Sequence, residues 1–182
     1  MKIIESKRLI IREWLETDYP LFIEMNADAQ VMQYFPAILS EKETMAMLAR
    51  IHAHIQQHGF GLWAAELKET AEFIGFIGLN IPSFSAHFSP CVEIGWRLSP
   101  RFWGKGLAIE GAKAVLAYGF KQLGLKEIVS FTTITNVRSQ RVMQKIGMTC
   151  DGKDNFCHPN LPLKHPLSPH VLYRITSKFS NT

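Results

Sequence analysis

The segment Leu98-Ser-Pro-Arg-Phe-Trp-Gly-Lys-Gly-Leu-Ala108 constrains the fold of this chain more than any other stretch. An apolar run from Val92 to Leu98 reads as a strand and stops at Ser99-Pro100; Gly104 and Gly106 then open a helix that the pattern carries to about Leu123. Glycines carry no Cβ, so backbone N–H groups can crowd together there. A helix start adds unpaired donors and the positive end of a macrodipole. Strand, basic glycine turn and helix N-terminus in that order make a cradle for phosphate or pyrophosphate.

Spacing narrows which phosphate. A Walker loop needs four residues between its glycines and then Gly-Lys-Ser/Thr, and this chain has neither the spacing nor the hydroxyl. The dinucleotide pattern G-x-G-x-x-G fails at Ile109, where the third glycine would stand. What remains is R-x-x-G-x-G-x-A, from Arg101 to Ala108.

The flanking chain supplies a layered α/β frame. Arg8 to Trp14 reads as a first strand. Thr17 and Asp18 suit the cap of a short helix to Asn26, and a second helical piece covers Ala29 to Tyr34, stopping before Pro36. Ser40-Glu-Lys-Glu43 fits a capping box for a long helix ending at Gly59, with Met45, Leu48, Ile51, His52 and Ile55 as its inner stripe. Phe60–Leu67 and Phe73–Leu79 form a hairpin around Lys68–Glu72. Beyond the glycine turn, Glu127–Thr133 is a strand, and Asn136 caps a helix to Ile146. Met148–Phe156 and His170–Thr176 close the sheet around a proline-rich loop. At 182 residues, with neither repeat nor linker, the expectation is one domain over 1–182: a mixed, mostly antiparallel sheet with helices on both faces.

Charge is unevenly placed. Residues 97–145 carry nine Lys/Arg against two acids, whereas residues 1–96 carry seven against twelve. The phosphate-loop segment is the basic one, which suits an anionic ligand. There is no Lys/Arg block and no nucleic-acid-reading motif, so a nucleic-acid-binding domain is the weakest reading of the pI near 9.0. No apolar run reaches the roughly 18 residues of a membrane span. The charged N-terminus lacks a signal peptide's apolar region, and the three cysteines have no C-x-x-C spacing, so a cytoplasmic protein with free thiols is expected.

The Arg101–Ala108 pattern resembles the acyl-CoA-binding motif of the GNAT acetyltransferase superfamily. Val31–Pro36, Glu93-Ile-Gly-Trp-Arg-Leu98 and Asn136…Ser139…Val142–Met148 resemble its RimJ/RimL-like branch, which includes enzymes that acetylate N-termini of ribosomal proteins. The resemblance implies the GNAT fold and acetyl-CoA as co-substrate. Backbone N–H groups across Trp103, Gly104, Lys105, Gly106, Leu107 and Ala108, beside Arg101, would hold the pyrophosphate. The main chain from Trp96 to Leu98 would pair with the pantetheine arm, and Asn136 and Ser139 would reach its amides and the sulfur.

Acetyl transfer to an amine requires a neutral nitrogen, a donor for the carbonyl oxygen and a proton for the leaving sulfur. Strand alternation places Glu93, Gly95 and Arg97 on one face. Glu93 could deprotonate the amine, or it could pair with Arg97. Superfamily members often place a Tyr general acid seven residues after the capping Asn; here that residue is Met143, leaving Ser139 as the nearest hydroxyl and Tyr173 and His170 in reserve. Cys157, His158, His165 and His170 match no compact zinc spacing, so no metal is expected. Tyr34, His158 and His165 are the candidate acceptor contacts, with Trp14, Met32 and Phe35 on the opposite wall. The acceptor is an amine, either a small molecule or a protein N-terminus. A non-catalytic acyl-CoA sensor on the same scaffold is the alternative that Met143 suggests. Monomer and homodimer both remain open.

Overall fold

Apolar residues alternating along short strands, and pairing with their chain neighbours, build most of the sheet. In the computed structural model, which describes residues 1–177, β1 (Lys2–Glu5) folds back on β2 (Leu9–Arg12). Next come β3 (Leu62–Leu67), β4 (Glu72–Asn80) and β5 (Glu93–Leu98), each antiparallel to the one before. β6 (Glu127–Thr133) lies parallel to β5, and β9 (Pro169–Thr176) is antiparallel to β6. The order is β1-β2-β3-β4-β5-β6-β9-β7, where β7 is Thr149–Cys150, and β8 (Phe156–Cys157) also pairs with β9. The sheet is thus mixed and mostly antiparallel. The last five residues of the expected 1–182 domain lie outside the described residues.

Helices cover both faces. α3 (Leu107–Lys121) and α4 (Val137–Lys145) lie over a core that includes Leu9, Ile77, Ile94, Leu107, Val115 and Met143. α3 comes close because it presents Gly111 and Gly119 to the sheet: a Cβ at those positions would stand 2.3 Å from Ile77 Cδ1 and 2.8 Å from Ile128 Cδ1. On the opposite face α1 (Tyr19–Ala27) and α2 (Glu41–His58) bury Trp14, Phe22, Leu48, Ile51 and Phe76. Arg12 ties this side together, with its guanidinium donating to Asp18 at 2.7 and 2.9 Å and to Glu66 at 2.6 Å. No helix among the described residues is long and apolar enough to cross a membrane.

Several local expectations are corrected. Residues 29–34 form turns rather than a helix, because the Asp28 carboxylate accepts the Gln30 N–H at 2.7 Å and offers the backbone an alternative to continuing the helix. The α2 capping box forms as read, but the inner stripe begins at Thr44: Met45 and His52 are exposed, while Thr44 is sealed in and accepts from Asn26 Nδ2 at 3.4 Å. α3 starts at Leu107, with Gly106 as its cap. The strand expected over 148–156 is broken into β7 and β8 by a single turn at Gly152–Asp154, which the Asp151 carboxylate nucleates by accepting from Lys153 N–H at 3.0 Å.

Candidate active site

The site begins where the sheet opens. β5 and β6 join at one rung, Glu93 opposite Val129, with the Val129 N–H donating to Val92 O at 2.9 Å, and then diverge. Side chains answer the carbonyls that the missing ladder would have paired. Ser130 Oγ donates to Ile94 O at 2.9 Å, and the Trp103 indole N–H donates to Leu98 O at 2.7 Å. Alternation in the antiparallel β4–β5 ladder gives Ile94, Trp96 and Leu98 the same orientation, so the Trp96 N–H and C=O face the gap. Leu98, expected to pair with the pantetheine arm, therefore has its carbonyl already engaged.

A cavity of about 760 Å³ occupies this opening. Its walls are β5 from Glu93 to Leu98, β6 from Ser130 to Thr133, the loop and helix start from Phe102 to Ile109 and the first turns of α4. At one end Gly104 and Gly106 adopt φ values of 74° and 75°, a region closed to most side-chain-bearing residues. A Cβ on Gly104 would meet nothing within 4 Å, so the cradle is open where a ligand oxygen would approach. The first-turn N–H groups of α3 have no partner within the helix. Those donors, a glycine turn and the cations of α4 fit a pyrophosphate.

The cations differ from those first expected. The Arg101 side chain pairs with Glu72 at 2.9 Å and points away from the cavity lining, and the Lys105 ammonium sits 5.5 Å over the Phe102 ring. Arg138, Arg141 and Lys145 line the cavity instead, and Arg138 stacks on Trp103 at 4.2 Å. The cradle is also clamped from the far end of the chain. Arg8 donates from NH1 to Lys105 O at 3.0 Å and from Nε to Glu110 at 2.7 Å, while the Arg8 N–H and the Ser6 hydroxyl reach the same carboxylate at 2.6 and 2.8 Å. Burial works against the Glu110 charge, but these donors outweigh it and hold its pKa below the usual carboxylate value.

Glu93 lines the cavity across from Asn80 on β4. Burial pushes its carboxyl up to about 8, and a hydrogen bond from Asn80 offsets only part of that rise. The anticipated pair with Arg97 does not form. Arg97 instead donates to Asn26 Oδ1 at 2.6 Å and packs on Phe35. Asn136 caps α4, accepting from Ser139 N–H at 3.2 Å, and its Nδ2 donates to Thr132 at 3.0 Å, so both ends of the amide are in use. Ser139 lines the cavity, and so does Met143, which is 1% exposed and fills the position of the superfamily Tyr.

Of the remaining candidates, Tyr34, Phe35, His158 and His170 line the cavity. Burial lowers the pKa of both histidines, keeping them neutral near pH 7. His165 does not reach the cavity; its Nδ1 accepts the Leu167 N–H at 3.1 Å and fixes a turn. Trp14 and Met32 are core residues, and the Tyr173 hydroxyl meets Gln144 at 3.1 Å, away from the lining. Asn80, Ser130, Leu161 and Leu167 line the cavity without a sequence signal that singled them out. Among the described residues no group of three His, Cys, Asp or Glu side chains converges as a metal site would require.

The opened strand pair and the glycine turn at the start of α3 thus share one cavity. The chain belongs to the GNAT acetyltransferase family: the acetyltransferase (GNAT) domain matches residues 8–149. It is similar to the uncharacterised N-acetyltransferase YnaD of Bacillus subtilis (strain 168), 33% identical over 157 residues that cover 86% of this chain and 88% of that one. An acetyltransferase from Agrobacterium tumefaciens str. C58 superposes with a TM-score of 0.78 at 27% identity, over 97% of this chain and 95% of that one. RimL, a ribosomal L7/L12 alpha-N-protein acetyltransferase in complex with coenzyme A, shares the fold at a TM-score of 0.75 and 16% identity, over 97% of this chain and 98% of that one.

Proposed function

We propose that this acyltransferase is an acetyl-CoA-dependent N-acetyltransferase that moves the acetyl group to a primary amine by direct transfer in a ternary complex. The observation that carries the reading is the opened β5–β6 pair, with a phosphate cradle at one end of its cavity and a buried carboxylate within it. The donor brings an acetyl thioester; the chain supplies position and protons. Backbone N–H groups from Trp103 to Ala108, with Arg138 and Arg141 nearby, hold the pyrophosphate. The Trp96 main chain pairs with the pantetheine arm, and Asn136 and Ser139 border it. Glu93 accepts a proton from the acceptor ammonium, directly or through water, and the freed nitrogen lone pair forms the C–N bond. A β5 N–H in the gap donates to the carbonyl oxygen as it gains negative charge. The C–S bond breaks as the nitrogen sheds its surplus proton through solvent to the departing sulfur, beside Ser139. His158 and Tyr34 border the acceptor. The three free cysteines suit a reducing, cytoplasmic setting.

Two measurements test this. Acetyl-CoA and CoA should each raise the melting temperature while an oligonucleotide leaves it unchanged, and acetyl-CoA with a panel of N-terminal peptides, polyamines and small amines should release free thiol. No shift with either CoA form would overturn the assignment. A shift without thiol release for any amine favours the sensor reading, for which the buried Met143 in place of a tyrosine is the specific support.

A further inference from the structure

Arg97 lines the cavity, and this chemistry gives it no role. It leaves β5 on the same face as Glu93, four residues on, which is about 13 Å along a strand. Three neighbours fix its guanidinium. The Phe35 ring lies 4.2 Å from its central carbon, the Phe76 ring lies 5.3 Å away, and Asn26 Oδ1 accepts from NH1 at 2.6 Å. Asn26 is itself 0% exposed and held by Thr44. Nε is sealed from solvent with no hydrogen-bond partner.

No carboxylate pairs with this cation among the described residues. Asp18 and Glu66 pair with Arg12, and Glu72 pairs with Arg101. Burial draws the Arg97 pKa down to about 10, so the group stays charged at neutral pH. A guanidinium locked in place and left without a counter-ion costs stability, and the planar fork is built to take a carboxylate or phosphate. It lies on the α1–α2 side beneath Phe35, on the opposite sheet face from the α4 cations beside the phosphate cradle.

We propose that Arg97 receives an anionic group of the acceptor, so that the amine acetylated by this enzyme also carries a carboxylate or phosphate remote from its nitrogen. The inference rests on the N-acetyltransferase reading and narrows its substrate class. Polyamines, which place a second cation where Arg97 stands, are then poor acceptors despite the acidic balance of the N-terminal half.

The test is thiol release from acetyl-CoA with matched amines. ω-Amino acids of increasing length are set against their carboxamides, phosphoethanolamine against ethanolamine, and spermidine supplies the cationic arm. With the wild-type protein, the acid member of at least one pair should exceed its neutral partner by roughly tenfold or more in kcat/KM. Arg97→Met should erase that ratio by raising the acceptor KM while the acetyl-CoA KM holds, and Arg97→Lys should keep part of it. The carboxylate and phosphate pairs tell the two anions apart. Neutral amines or spermidine matching the acids, a ratio surviving in Arg97→Met, or an effect confined to the acetyl-CoA KM would each overturn the proposal. Should the Met variant lose its circular dichroism, the wild-type ratios and the Lys variant decide. If no amine at all releases thiol, the transferase reading is what has failed. The Arg97 site is then judged by titrating CoA-loaded protein with glutarate and with inorganic phosphate; heat from either in wild type, weakened in Arg97→Lys and lost in Arg97→Met, sustains an anion site, and silence from both anions in wild type removes it.

Discussion

Glu93 shows how burial can outweigh a hydrogen bond in tuning one residue. Its carboxyl, pushed up to about 8, is mostly protonated at neutral pH and becomes a base as the pH rises through that value. Under the proposed chemistry, kcat/KM for the acceptor should climb with pH and show an inflection near 8. Glu93→Gln should remove that limb and leave only the titration of the amine; an unchanged profile would exclude Glu93 as the base. The same shift has a stability consequence of opposite direction. The native state holds this proton above the ordinary value of 4.5, so the contribution is most favourable below 4.5, erodes as pH rises toward 8 and is flat beyond. Gly104 makes a second residue-scale case. Its φ of +74°, with nothing within 4 Å of a Cβ, means that Gly104→Val acts on the turn through backbone strain rather than through a Cβ clash. Acetyl-CoA should then no longer raise the melting temperature, while far-ultraviolet circular dichroism stays as in wild type.

At the scale of elements, the opening of β5 from β6 depends on borrowed donors. Ser130→Ala would leave the buried Ile94 carbonyl without its partner, a loss of about 1–3 kcal/mol. Urea denaturation should show that loss with an unchanged m value; no change would mean that the strands stay apart without this bond. Such a feature was beyond reach of the sequence, since Ser130 and Ile94 are far apart in the chain and a serine inside a strand looks like any other. The strand, glycine turn and helix from Val92 to Lys121 were legible because each carries its own local signal: apolar run, positive-φ glycines, amphipathic spacing. The Ser40–Glu43 capping box was legible for the same reason. β1, at four residues, owes its existence to its partner and leaves no periodic trace, and the break that divides 148–156 into β7 and β8 comes from the Asp151 turn rather than from any change in apolar pattern. The α2 stripe is right at Leu48, Ile51 and Ile55 and misses at its edges, where Met45 and His52 are exposed and Thr44, bonded to Asn26, is buried in a way that hydrophobicity does not report. In the cavity, alternation placed Glu93 and Arg97 on one face correctly, but ion pairing between them was ruled out only by where Asn26 and Phe35 sit.

Across the whole molecule, the glycine turn and the start of α3 are held by residues about a hundred positions earlier in the chain. Arg8 bridges the Lys105 carbonyl and the Glu110 carboxylate without lining the cavity, so it acts as a positioning residue. Arg8→Ala should raise the acetyl-CoA KM several-fold and spare kcat, with Arg8→Lys recovering part of the loss. Equal losses in both parameters would indicate general damage instead. Binding of CoA should in turn slow amide hydrogen exchange in residues 2–12 as well as in the loop itself, because the clamp makes them one unit.

That clamp also sets an order of events during synthesis. The hairpin bearing Ser6 and Arg8 leaves the ribosome about a hundred residues before Glu110 does. α3 can coil from its local signal as soon as it emerges, but the turn ahead of it stays unbraced until the first residues of the chain come back to meet it. Cutting away residues 1–8 would therefore yield a protein that keeps its helices yet grips its donor loosely.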